Sequence, residues 1–85
     1  MSGGEFEYVQ DRISVVADEF EENLEHYAEY EYISPRVLAS FKETIYLLRV
    51  AAVRLQRADW LISGDDGEET YWQRMANDLK KIPKP

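Results

Sequence analysis

Cysteine is absent from this chain of 85 residues, which excludes disulfide staples, thiolate metal sites and thiol chemistry. Histidine occurs once, as His26, and no serine or cysteine stands at a nucleophile spacing from it. Flanked by Glu22 and Glu29, it reads as a solvated residue on an acidic helix. Ser14, Ser34, Ser40 and Ser63 occur in no nucleophile-elbow or P-loop context. No catalytic residue and no cofactor is therefore expected, and the chain is not expected to be an enzyme. Long apolar runs are missing too: the longest, such as Ile45–Leu48, fall far short of a membrane span. Met1–Gly4 lacks a basic stretch followed by an apolar run, so no signal peptide is expected, and a cytoplasmic location is. Basic residues are scarce. Ten Lys and Arg against 17 Asp and Glu give a net charge of −7, which argues against a nucleic-acid backbone or an anionic membrane as a direct partner.

Glycine and proline are also few, and their positions divide the chain. None falls between Pro35 and Gly64. Ser34–Pro35 is an N-cap followed by a first-turn proline, and Gly64 suits the left-handed residue that ends a helix. The spacing predicts a long helix over residues 35–62, apolar on most of its circumference. One stripe runs through Leu38, Phe41, Ile45, Leu48, Ala52, Leu55 and Ile62, with a gap at Asp59; a second runs through Val37, Thr44, Leu47, Ala51, Ala58 and Leu61; a third through Tyr46, Val50, Val53 and Trp60. Before it, Phe6, Val9, Ile13, Val16, Phe20, Leu24 and Tyr27, a stripe widened by Ala17 and Ala28, predict a helix over about 5–30. After it, Trp72, Met75, Ala76 and Leu79 predict a short one over about 66–81, ended by Pro83. The brief turn at 30–33 makes the first two antiparallel. The expected fold is a single all-α domain, a long antiparallel helical hairpin plus a short third helix. Two other helices cannot cover three apolar sides of the central one, so dimerisation into a helical bundle through that helix is expected.

Charge is distributed unevenly. Residues 1–33 carry a net −9, residues 34–62 a net +3, and residues 63–85 a net −1. In antiparallel register Asp18 falls near Arg49, Glu25 and Glu29 near Arg36 and Lys42, and Asp11 near Arg54 or Arg57. The five bases of the central helix cannot neutralise ten acids. The surplus on Asp18, Glu21, Glu22, Glu25 and Glu29, with Tyr30 and Tyr32 at the end of the row, makes a candidate partner-binding face. Acids three or four apart on a helix lie about 5–6 Å from one another, and two such rows on a hairpin would approximate the spacing of about 3.4 Å per phosphate along a duplex strand. Such a face suits a protein with a basic groove. Arg49, Arg54, Arg57 and Trp60 form an alternative ligand-binding set for an anion or a nucleotide. Metal is not expected: residues 65–69 lack calcium-loop spacing and read as capping, with Asp65–Glu68 or Asp66–Glu69 as a capping box. The diiron Glu-x-x-His pattern is missing as well.

The segment Arg57-Ala58-Asp59-Trp60-Leu61-Ile62-Ser63-Gly64-Asp65-Asp66-Gly67-Glu68-Glu69, followed by an amphipathic helix, resembles small helical accessory proteins of tailed bacteriophages. The resemblance covers about a third of the chain. It implies a viral inhibitor that binds a host protein in the host-cell cytoplasm, and it carries over no functional residue. The expected function is non-enzymatic protein binding. The alternatives are a nucleotide-sequestering or small-ligand-binding oligomer and a structural or assembly protein.

Overall fold

The computed structural model describes residues 6–85, and all regular structure among them is helical: α1 Val9–Glu22, α2 Leu24–Tyr27, α3 Pro35–Ile62 and α4 Glu68–Lys80. The central helix has the limits that its caps predict. Ser34 is extended, and its Oγ accepts a hydrogen bond from the Val37 N–H at 3.2 Å, with Pro35 in the first turn. Gly64 ends the helix at φ +84°, a conformation that glycine adopts without a Cβ clash. Replacing Ser34 by alanine leaves that amide without its partner. The expected loss is about 1 kcal/mol in chemical denaturation, and a change below a few tenths would show that the cap contributes nothing.

The acidic helix is not the continuous element expected over residues 5–30. Residues 1–5 lie outside the described part. The remainder breaks at Asn23, whose Nδ2 donates to the Glu19 carbonyl at 2.8 Å while its backbone sits at φ −95°, ψ 3°. Asparagine competes with the backbone for its hydrogen bonds in this way and so interrupts helices. One further turn, α2, carries the chain to Tyr27, and hydrogen-bonded turns continue to Ile33.

α1 and α3 lie antiparallel. Gln10 meets Asp59, Asp18 meets Arg49, and Phe20 meets Phe41 with ring centroids 5.2 Å apart, so contacts move backward along α3 as α1 advances. The line facing inward on α1 differs from the apolar stripe predicted for it. Gln10 and Ala17, seven apart, are buried, whereas Val9 and Val16 are exposed. On α3 the buried line is Ile45, Ala52 and Asp59, also seven apart. Ala17 and Ala52 are small enough for the helices to approach closely, and that contact fixes the rotation of α1. The apparent gap at Asp59 is thus a core position.

α4 contacts α3 and not α1. It starts two residues later than expected, at Glu68. Neither Asp65 nor Asp66 caps it. The Gly67 N–H donates to Thr70 Oγ1 at 3.0 Å, one half of a capping box whose other half glycine has no side chain to make. The resulting molecule is flat, 49 × 23 × 13 Å, and among the described residues only Ala17, Ile45, Ala52 and Met75 form a buried apolar core. No described helix is long and apolar enough to cross a membrane.

Candidate functional site

The acidic flank divides into two parts. Asp18 and Glu21, one turn apart on α1, grip the Arg49 guanidinium: Nη1 to Asp18 Oδ1 is 2.8 Å and Nη2 to Glu21 Oε1 is 3.1 Å. Arg49 is 23% exposed and each acid 60%, so the pairs are surface contacts worth about 0–1 kcal/mol each. They set the register of the hairpin at Arg49, as the sequence spacing anticipates. Glu22, Glu25 and Glu29 are exposed, and none of them has a lysine or arginine within ion-pair distance among the described residues. Glu29 Oε2 lies 3.8 Å from His26 Nδ1. The expected pairing of Glu25 and Glu29 with Arg36 and Lys42 does not occur, because the break at Asn23 redirects the chain before it reaches the start of α3. Asp11 does not reach Arg54 or Arg57 either, for both arginines face α4.

An aromatic end adjoins these acids. Tyr27 contacts Phe20 and Phe41 edge-on and belongs to the hairpin interior. Tyr30 accepts or donates at 2.8 Å to His26 Nε2 and stacks on Tyr32 with centroids 5.5 Å apart and an interplanar angle of 11°. Tyr32 is 81% exposed, the most exposed of the large hydrophobic side chains among the described residues. The structure therefore brings Tyr30 and Tyr32 together beside Glu29, and sets Glu22 and Glu25 further back along the same arm.

Arg49, Arg54, Arg57 and Trp60 do not converge. Arg49 turns towards α1. Arg57 turns towards α4, bonding Asp78 at 2.9 Å and Asp66 at 3.5 Å, with its guanidinium 4.5 Å above the Trp60 ring. Arg54 Nη1 approaches the Met75 sulfur at 3.3 Å. Each guanidinium already has a protein partner, so an anion entering there would have to displace one.

The sequence pattern overlooked two acids. Asp66, read as a cap, is buried with its side chain 1% exposed. It accepts from Arg74 Nη1 at 2.7 Å and from Arg57 at 3.5 Å, tying the α3–α4 connector to both helices. Asp59, fully buried, accepts from Gln10 Nε2 at 3.0 Å and from Ser63 Oγ at 3.3 Å. The seven-residue step from Ile45 through Ala52 to Asp59 was the available signal for its burial. Both act inside the fold. No group of three or more metal-ligating side chains converges among the described residues.

Compared with known proteins, the chain matches no family model, and no curated protein or solved structure shows significant similarity to it.

Proposed function

We propose that this chain is a non-enzymatic protein-binding module that acts as a homodimer and offers the acidic arm of α1 and α2 to a basic groove on a partner protein. The observation that carries the reading is the division of that arm. Asp18 and Glu21 neutralise Arg49, while Glu22, Glu25 and Glu29 keep their charge for something outside the described chain. The stacked Tyr30–Tyr32 pair at the end of the arm supplies apolar area where a binding hot spot needs it. Occupying a nucleic-acid-binding groove in this manner is inhibition by mimicry, and the resemblance to phage accessory proteins implies binding to a host protein. Association of this kind is fast and weakens with salt.

The test is affinity capture from bacterial lysate at low salt, with a duplex oligonucleotide as eluant. A captured protein that DNA displaces, and that the Glu22/Glu25/Glu29→Lys variant fails to capture by a factor of at least about 10, is the expected result. Asp18 and Glu21 are left intact in that variant so that the hairpin keeps its Arg49 clasp. Equal capture by the wild type and the variant would remove the acidic arm from the function. The sequestering-oligomer alternative has no observation in its favour, since Arg49 and Arg57 are each held by two carboxylates.

A further inference from the structure

We propose that a second copy of this chain covers the flank of α3 marked by Thr44, Ala51 and Ala58, and that this contact is the dimer interface. The inference rests on the homodimeric reading above and deepens it by naming the surface. Thr44, Ala51 and Ala58 each precede by one residue the buried line Ile45, Ala52 and Asp59 that faces α1, so they lie about 100° around α3 from it. On the side away from α1, α4 is met by Arg54 and Arg57, which follow Ala51 by three and six positions and so stand about 60° and 120° from it. Val53 lines a cleft with Asp78 of α4, and Trp60 lies under Arg57, which bonds Asp78. The arc between the α1 side and Arg54 is left partly open: Thr44 is exposed, and Ala51 and Ala58 are half-buried. Leu47 at its edge is 54% exposed and Ile62 at its end is 58% exposed.

Three features favour a second copy as the occupant. The first is area. The chain exposes 6177 Å², whereas a compact monomer of 10.0 kDa exposes about 5200 Å². The excess of about 1000 Å² is of the order of the ~800 Å² that each partner buries in a standard stable interface. The second is shape. Small residues every seven positions let another helix axis come close over several turns, and the 28-residue α3 is itself a helix of the required length. The third is charge. A twofold interface sets like surfaces against each other, which a chain of net charge −7 tolerates only on a face without ionisable groups. Thr44, Leu47, Ala51, Ala58 and Ile62 carry none; Arg54, about 60° from Ala51, borders the flank and turns to Met75 of α4, and Arg49, with the acids it holds, lies about 200° from Ala51. The dimer would consequently carry its two acidic arms on its outer sides and engage a repeated or two-sided partner with avidity.

Sedimentation equilibrium of the full chain measures the mass directly. At a chain concentration of about 100 μM the expected mass is twice 10.0 kDa, since an interface of this area binds in the micromolar range or tighter. Leu47→Glu and Ala51→Glu are each expected to return it to 10.0 kDa with the far-UV dichroism of the helices retained; Leu47→Glu alone suffices should Ala51→Glu unfold. Because the chain has no cysteine, oxidised Ala51→Cys is expected to form a covalent dimer, as Ala51 lies midway between Thr44 and Ala58 and meets its twin in either helix polarity. Glu22/Glu25/Glu29→Lys is expected to leave the dimer mass unchanged, which separates this surface from the acidic arm. A wild-type mass of 10.0 kDa at that concentration overturns the proposal. So does a dimer that persists in Leu47→Glu, or one that dissociates on reversal of the acidic arm.

Discussion

Asp66→Ala is expected to lower the stability of the chain by about 2–3 kcal/mol, although the residue sits in a connector of a kind that usually tolerates change. Its carboxyl group is buried, 1% exposed, and holds Arg74 at 2.7 Å and Arg57 at 3.5 Å. Breaking a buried ion pair by deleting one partner costs about 3–5 kcal/mol when the other charge stays buried. Here the cost is reduced for two reasons. Arg74 is 52% exposed and can hydrate once released, and Arg57 retains Asp78. For a domain of this size the loss corresponds to a fall in melting temperature of about 10–20 °C. Asp65→Ala, one residue earlier and exposed, is the control and should change stability by less than about 0.5 kcal/mol. Equal effects from the two substitutions in urea denaturation would show that the node contributes nothing to holding α4 on α3.

The second large effect is expected at Ile45. This residue is 4% exposed, and it is one of only four buried apolar residues in the described chain, two of them alanines. Deleting three carbons there removes the largest aliphatic contribution between α1 and α3 and leaves a cavity that the neighbouring helices cannot close. The expected cost of Ile45→Ala is about 3 kcal/mol. Domains of this length have a total stability of about 4–13 kcal/mol, so the loss is a large fraction of it. Val15→Ala, on the outer face of α1 and 53% exposed, should cost under about 1 kcal/mol. A loss at Ile45 no larger than that at Val15 would mean that the hairpin interior is not packed around this position.

Much of the architecture was legible because local chemistry agrees with it. Ser34, Pro35 and Gly64 delimit α3 by capping and backbone rules that hold in any surroundings, and the helix runs over Pro35–Ile62 as those residues predict. The Asp18–Arg49 pairing was equally readable, since a short turn fixes the antiparallel register near the hairpin's middle. Farther along, register alone failed. Arg57 left α1 for Asp66 and Asp78 because the α3–α4 connector and α4 bring one carboxylate each to a buried guanidinium, a stronger attraction than one exposed acid across the hairpin. The candidate acidic face was legible as composition. Its division between acids held by Arg49 and acids left without a basic partner was not, because that depends on which helix turn faces which.

By itself, then, the amino-acid sequence determined an all-helical chain, the ends of its central helix and the excess of acid in its first third, because periodicity, caps and charge are properties of short segments. The tertiary structure alone decided that α1 turns Gln10 inward and leaves Val9 and Val16 exposed, and that Asp59 and Asp66 are interior residues. It also decided that Leu47 and Ile62 of α3 stand exposed. Those outcomes follow from how closely two helices approach at Ala17 and Ala52 and from which side α4 folds back. Both depend on contacts between segments about 20 or more residues apart, which no local pattern encodes.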